Sequence, residues 1–206
     1  MSVLDRLRGD FEVDAWGCDP AVQDAIDAVI RPLLRIDISG EENLPGGRCT
    51  LVSNRRFGVL EPMVLGRAVR MATRRRLRVV GLPDLAPFAT VLRRAGAVVN
   101  HPAEVAGLLR DGRMVALPLS VRFGNPPMAG DISPDDMAGP LAAQSPVVPV
   151  SITGGEFARS WRVAFGAPVP CPKARGPLAL AELADAARNG VQALLDEATP
   201  PRWPWS

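Results

Sequence analysis

The chain has 206 residues, of which 47% are hydrophobic and 22% charged, a balance typical of one globular domain with a substantial core. A net charge of +2 is too small to indicate a nucleic-acid-binding protein, and one histidine with three widely spaced cysteines disfavours a zinc site or a disulfide framework. The N-terminal MSVLDRLRGD has no apolar run and no stretch approaches about 18 uncharged apolar residues, so neither a signal peptide nor a membrane-spanning helix is expected.

Strands and helices are predicted to alternate along nearly the whole chain. Residues 1–18 are expected to be irregular, Asp19-Pro20 to begin the first helix, and Pro32 to kink or end it. Further helices are expected at 60–71, 87–94, 102–110, 134–143 and 178–198. Strands are expected at 35–39, 50–53, 77–80, 97–100, 114–117, 147–152 and 162–165. The pattern predicts one α/β domain over residues 1–206, with a mixed, largely parallel sheet flanked by helices and a Pro/Trp tail at 199–206.

The stretch Leu51–Val64, LVSNRRFGVLEPMV, is the first candidate for a functional site. It begins as a buried strand, breaks at a polar turn over residues 54–56, and restarts as a helix near Leu60. Because α/β folds place their chemistry where strands end and helices begin, this turn has the location of an active site.

Several short phrases stand out by their order and spacing. They are Trp16-Gly17-Cys18-Asp19-Pro20, then GEENLP at 40–45, LVSN at 51–54, GAVV at 96–99, LPLSVR at 117–122 and VPV at 148–150. Together they resemble the glycerolipid (lysophosphatidic-acid type, PlsC-like) acyltransferase family, in an actinobacterial branch of it. The resemblance covers roughly residues 14–198 and implies the glycerolipid-acyltransferase fold and a place in phospholipid metabolism.

The chain departs from this family at the first block, which is His-x4-Asp. There the histidine is the general base that takes a proton from the acceptor hydroxyl, and the aspartate orients it. Arg55 stands at the histidine position, and a guanidinium stays protonated and cannot act as a base. Leu60 stands at the aspartate position, or Glu61 with a shift of one residue.

The other blocks depart as well. The glutamate and glycine of the third block are replaced by Leu119 and Ser120, while Arg122 is retained. The phosphate-binding arginine of the second block is replaced by Asn100 or His101, depending on register. The comparison implies a degenerate member with no catalytic residue, in which the fold is kept and acyl transfer is lost.

Four residues are the candidate ligand-binding set: Arg55, Arg56, Glu61 and Arg122. Arg55 and Arg56 are either solvated loop residues or anion ligands, and the nearby helix start favours anion binding. Glu61 is interpreted as a first-turn helix residue or an ion-pair partner of Arg55, with a substitute base as the alternative. No metal or cofactor is expected; acyl-CoA or an acyl carrier would be the donor if the protein were active.

An arginine run consists of Arg67, Arg70, Arg74, Arg75, Arg76 and Arg78. It is either a solvated helix end or a patch for an anionic membrane surface, at about 1 kcal/mol per basic residue. Nucleic acid is disfavoured because no aromatic residues interleave with the arginines. Trp203 and Trp205 of the tail either enter a bilayer interface or pack on the domain.

Two functions follow. The first is a cytoplasmic, peripheral protein at the inner membrane face that binds a lipid, an acyl chain or a protein partner without catalysis. The alternative is an active acyl-CoA-dependent glycerolipid acyltransferase that uses Glu61 or His101, which requires a carboxylate or imidazole within roughly 3 Å of the acceptor oxygen. A plain scaffold would have its cleft filled by side chains such as Phe57 and Leu119.

Overall fold

A computed structural model of the chain describes residues 13–55, 60–81, 89–123, 127–154 and 159–198. Within these ranges the helices are α1 (Pro20–Ile30), α2 (Leu60–Thr73), α3 (Ala89–Arg94), α4 (Pro102–Arg110), α5 (Ala138–Ala143) and α6 (Pro177–Ala198). The strands are β1 (Arg35–Ser39), β2 (Cys49–Arg55), β3 (Leu77–Val80), β4 (Ala97–Val98), β5 (Met114–Val121), β6 (Val147–Thr153) and β7 (Ser160–Phe165). Turns of 3₁₀ helix occur at Glu41–Asn43 and Pro134–Met137.

The strands of the described chain form one sheet in the order β1-β7-β6-β2-β5-β3-β4. Neighbouring strands are parallel except for the antiparallel pair β6 and β7, so β1 and β7 run opposite to the rest. The predicted fold class, one α/β domain with a mixed, largely parallel sheet flanked by helices, is confirmed. The carboxyl ends of β2, β5 and β6 lie side by side at one edge of the domain, the edge where such folds place their sites.

Each face of the sheet carries its own core because side chains alternate along a strand. On one face Leu117 and Leu119 of β5 pack in the cluster that contains Leu108 of α4 and much of α6. On the other face Ala116 belongs to the cluster that contains Val64 of α2. The sheet is therefore largely covered on both sides.

The first helix begins with the cap that the sequence indicates. The Asp19 side chain accepts a hydrogen bond from the Ala21 amide at 2.8 Å, and Pro20 is the first residue of α1. The helix ends at Ile30, two residues before Pro32, because proline has no N–H for the helical hydrogen bonds and its ring clashes with the preceding turn. The predictions for residues 1–12 and for the tail at 199–206 lie outside the described residues.

Three strands end two or more residues from the expected position. β2 was expected to end at Ser53 with a turn over 54–56, yet Asn54 and Arg55 belong to the strand. They do so because the Asn54 side chain bonds to Ile152 and Arg55 still pairs with Val121.

β5 was expected to end at Leu117, yet it continues through Pro118 to Val121. This is tolerated because β3 pairs only with Met114–Ala116, so the later residues of β5 have one neighbouring strand and the missing N–H of proline costs little. β4 is only two residues long because β3, its neighbour, ends at Val80.

Candidate functional site

A small cavity lies at the carboxyl ends of β2, β5 and β6, against the first turn of α2. Its lining includes Ser53, Arg55, Glu61, Pro118 and Ile152. The cavity, hereafter the Arg55 cavity, measures about 10 Å³, which is room for about one water molecule. It occupies the place that the sequence indicated, but it is far too small to hold a lipid as it stands.

Asn54 fixes the end of β2 from which this cavity is built. It is 1% exposed, and its amide Nδ2 donates to the carbonyl oxygen of Ile152 at 2.9 Å. The N–H of Ile152 donates back to Asn54 Oδ1 at 2.7 Å. The regular pairing of β2 with β6 stops at Ser53. The Asn54 side chain therefore extends the hydrogen-bond ladder by one step and holds the next residue, Arg55, at the carboxyl end of β2.

Arg55 is half-buried and lines the cavity. The β2–β5 register shifts between Ser53 and Arg55, with one extra residue on β5, a bulge of the kind that redirects a side chain near a site. The Nε of Arg55 is buried and makes no hydrogen bond within the described part of the chain. A buried, unused guanidinium donor suits an anionic ligand.

Glu61 lies in the first turn of α2 and is 5% exposed. It lines the same cavity as Arg55, so the structure brings these two candidate residues together and directs Glu61 toward the cleft rather than away from it. The positive end of the helix dipole favours a carboxylate at this position.

Arg122 is joined to Arg55 through the backbone: its N–H donates to the Arg55 carbonyl oxygen at 3.2 Å. Its guanidinium contacts Asp131 at 3.1 Å, and Asp131 also lies 3.4 Å from Arg188. The side chain is 47% exposed and is not part of the cavity lining. Arg56, the fourth candidate, lies outside the described residues, as does Phe57.

The remaining motif positions lie elsewhere. His101 is exposed and caps α4, where its Nδ1 accepts from the Ala103 amide at 3.3 Å. The neighbouring Asn100 donates to Asp136 at 2.8 Å. Leu119 is buried in the core on the α4 and α6 face. Neither His101 nor Leu119 contributes to the Arg55 cavity.

The cysteines offer no activated nucleophile. All three are free thiols, and burial raises the pKa of Cys18 and Cys171 above the ordinary value. Cys49 is fully buried at the start of β2, and burial raises its pKa to about 12. A reactive thiolate would require the opposite shift.

Three members of the arginine run bind carboxylates of α1. Arg67 contacts Asp27 at 2.8 Å, while Arg70 and Arg76 contact Asp24 at 2.6 Å and 3.1 Å. These ion pairs hold α1 against α2 and the start of β3. The sequence contains an indication of these ion pairs. Asp24 and Asp27 are three residues apart, as are Arg67 and Arg70, so each pair lies on one face of its helix.

Two further arginines of the run also have internal partners. Arg78 is 4% exposed and forms an ion pair with Asp14. Arg75 donates to the backbone carbonyls of Gly47 and Gly112. Arg74 is exposed and adopts a left-handed backbone, with φ of 59°. Much of this run therefore serves to fix the N-terminal segment, an arrangement that sequence reasoning missed.

A second, larger pocket of about 130 Å³ was also missed by sequence reasoning. It lies between α1 and α2 and is closed by β3 and the end of α3; we call it the α1–α2 pocket. Apolar side chains dominate its lining, and its wall shares Pro62 and Val79 with the Arg55 cavity.

Two negative findings apply to the described ranges alone. The helices in them are too short or too polar to cross a bilayer. The same ranges hold no cluster of three or more His, Cys, Asp or Glu side chains arranged for a metal ion.

The chain was compared with known proteins by sequence and by structure. No protein-family model matches the chain. An uncharacterized protein of Mycobacterium tuberculosis is 27% identical over 254 aligned residues, which cover 92% of this chain and 70% of that protein. An uncharacterized protein of Mycobacterium leprae is 34% identical over 127 residues, covering 54% of this chain and 34% of its own length.

Among solved structures, the chain is similar to the 1-acyl-sn-glycerophosphate (LPA) acyltransferase PlsC from Thermotoga maritima. The TM-score is 0.60 at 17% sequence identity, and the superposition covers 88% of this chain and 80% of that one. The chain therefore has a PlsC-like acyltransferase fold, as the resemblance in the sequence implied.

Proposed function

We propose that this PlsC-like fold binds a lipid or an acyl chain at the inner membrane face and does not transfer the acyl group. The observation that carries the proposal is Arg55 in the cavity at the carboxyl end of β2. The resemblance puts the catalytic histidine of the family at this position. A residue that cannot accept a proton there removes the step that activates the acceptor hydroxyl.

No other histidine can replace the one missing at position 55. The chain has one histidine, His101, and its ring is exposed and engaged in capping α4. Because the cap uses the Nδ1 lone pair, a catalytic role would break the cap and would require the ring to reach another part of the molecule.

Arg55 supports binding in place of catalysis. Its buried Nε supplies a donor that a carboxylate or phosphate oxygen can accept, and charge-assisted bonds of this kind are stronger than neutral ones. Arg56, Glu61 and Arg122 complete the proposed ligand-binding set. The cavity must widen to admit a head group, since it now holds about one water molecule.

The membrane part of the proposal rests on charge. Arg74 of the arginine run is exposed and available to an anionic surface. Arg76 is exposed but paired with Asp24, and Arg67 and Arg78 are largely buried against carboxylates. A protein partner at the same surface is the other partner that the proposal includes.

One observation favours the alternative, an active acyl-CoA-dependent acyltransferase. Glu61 is a buried carboxylate that lines the same cavity as Arg55, and a carboxylate in reach of the acceptor hydroxyl can serve as a general base. This function requires the acceptor oxygen to come within hydrogen-bonding distance of Glu61.

Native mass spectrometry with lipid extraction, run beside an acyl-CoA consumption assay with lysophospholipid acceptors, separates the two functions. The proposal expects a co-purifying lipid and no turnover, with the lipid lost in Arg55→Ala and kept in Arg113→Ala, an exposed control. Turnover that survives Arg55→Ala and disappears in Glu61→Gln would refute the proposal and establish the enzyme.

A further inference from the structure

The α1–α2 pocket has no part in the function proposed above. It lies between Ile26 and Ile30 of α1, Met63 of α2, Leu77 of β3 and Leu92 of α3. At about 130 Å³ it is close in size to an engineered apolar cavity of about 150 Å³ that stays dry and binds benzene. A pocket of this size and lining accommodates about six carbon atoms of a hydrocarbon ligand.

Gly66 gives an independent indication that the pocket is kept open. It lies in the middle of α2 and lines the pocket. A glycine inside a helix costs about 1 kcal/mol relative to alanine. Nothing in the fold requires glycine here, because a Cβ at this position would meet no atom within 4 Å and the backbone is ordinary helix. Its effect is to leave space in the pocket wall.

The exposed end of the pocket is positively charged. Four arginines of the run line it: Arg67, Arg70, Arg75 and Arg76. The carboxylates that contact them are Asp24 and Asp27, and Arg75 bonds to neutral backbone carbonyls. Within the described residues, two positive charges at this end are therefore not balanced by a carboxylate, and an anionic group is favoured there.

We infer that the α1–α2 pocket is a binding site for a single-chain amphiphile, with its alkyl chain along α2 and its anionic head at the arginines. From Pro62 to Arg70 the pocket follows two turns of α2, about 12 Å at 1.5 Å per residue. The apolar part has the depth for a chain, and the arginine end has the charge for a carboxylate or a phosphate. This site is distinct from the Arg55 cavity.

The head group can come from a fatty acid or from a phosphate-headed lysolipid, and calorimetric titration distinguishes the two. The probes are hexanoate, hexyl phosphate and uncharged hexanol, whose chains match the room for about six carbon atoms, each used as a dissolved monomer. Both anions are expected to bind at least about tenfold more tightly than hexanol, because hydrogen bonds to charged groups are stronger than those between neutral groups. The tighter of the two anions identifies the source of the head group.

Gly66→Leu tests the location. The new side chain fills the pocket, and excluding about three methylenes at about fourfold each should weaken both anions on the order of 50-fold. Leucine is also a better helix former than glycine, so the thermal midpoint should not fall, and lost binding cannot be ascribed to unfolding. Asn189→Ala, an exposed helix substitution in α6, is the matched control and should bind as the unchanged protein does.

Any of three titration results would overturn the inference: no binding of either anion to the unchanged protein, equal binding of hexanol and the anions, or unchanged binding in Gly66→Leu. The Arg55 proposal fails separately. A co-purified lipid that is lost in Arg55→Ala but retained in Gly66→Leu supports the Arg55 cavity and overturns this site. Loss in Gly66→Leu alone supports this site.

Discussion

The amide of Asn54 replaces a backbone peptide beside Ile152: one hydrogen bond runs each way between the side chain and that residue, at 2.9 Å and 2.7 Å. Asn54 is 1% exposed, so water cannot take over either bond. Because Arg55 directly follows Asn54, the position of Arg55, the proposed anion-binding residue, depends on these two hydrogen bonds.

Asn54→Ala should therefore destabilise the protein strongly. It leaves the N–H and the C=O of Ile152 buried without partners, at about 1–3 kcal/mol each, so we expect a loss of about 2–4 kcal/mol in the free energy of unfolding by urea. Asn100→Ala removes an exposed bond to Asp136 and should cost less than about 1 kcal/mol. Equal losses for the two variants would contradict the bridging role of Asn54.

Two helix glycines should respond to alanine with opposite signs. At Gly107 of α4 an added methyl would overlap the ring of Trp16, whose Nε1 donates to Asp111 at 2.7 Å, so the ring cannot move without losing that bond. We expect Gly107→Ala to lower stability by about 1–3 kcal/mol through overpacking. Gly66→Ala meets no atom and should raise stability by about 0.5–1 kcal/mol. Thermal unfolding of the two variants is the measurement, and a stabilised Gly107→Ala would show that Trp16 does not pack there.

The ion pairs of Asp24 should make the attachment of α1 depend on acid pH. Burial pushes the pKa of Asp24 upward, but the hydrogen bonds and charges of Arg70 and Arg76 outweigh it, so the pKa lies below the ordinary value of 3.8. A carboxylate with a lowered pKa stabilises the folded state above its unfolded pKa, and this contribution is lost as the pH falls through the folded pKa.

Asp24→Asn is thus expected to be less stable than the unchanged protein at pH 7, by about 1 kcal/mol or less, since both partners are substantially exposed and screened. The difference should disappear as the pH falls below 3.8. Chemical unfolding at a series of pH values measures it, with Asp185→Asn, an exposed residue of α6, as the control. A difference that persists unchanged in acid would rule out the ion pairs as its source.

Arg55→Met separates ligand binding from stability. Removing a buried donor that has no acceptor among the described residues should leave the free energy of unfolding unchanged or raise it by about 1 kcal/mol. If Arg55 binds anions, added inorganic phosphate will raise the thermal midpoint of the unchanged protein and of Arg113→Met by more than that of Arg55→Met. A phosphate shift of equal size in Arg55→Met would show that Arg55 does not bind the anion.

The features that sequence reasoning predicted are those encoded within a few residues. Asp19 caps the start of α1 and Pro20 supplies a φ that suits the first helical residue. His101 and Pro102 have the same two roles at the start of α4. Arg55 and Glu61 could be placed together because a strand end and the following helix start are adjacent in any such fold.

The features that it missed depend on partners far along the chain. Arg78 is basic in a basic run, and only its contact with Asp14 explains why it is buried. Pro118 ended the predicted strand because the sequence does not show that β3 stops short of it. The space beside Gly66 exists only once α1 has docked on α2, so no local pattern could indicate the pocket.

The sheet order has a consequence for how the chain reaches this structure. β1 is an edge strand whose neighbour is β7, so that Arg35 lies opposite Ser160. During synthesis β1 cannot pair until β7 has been made, so the hydrogen-bonding edge of β1 stays exposed until residues 160–165 have left the ribosome. Such distant pairings slow folding and expose strand edges to aggregation. A truncation that removes β7 would therefore also leave β1 unpaired, although it changes no residue near the N-terminus.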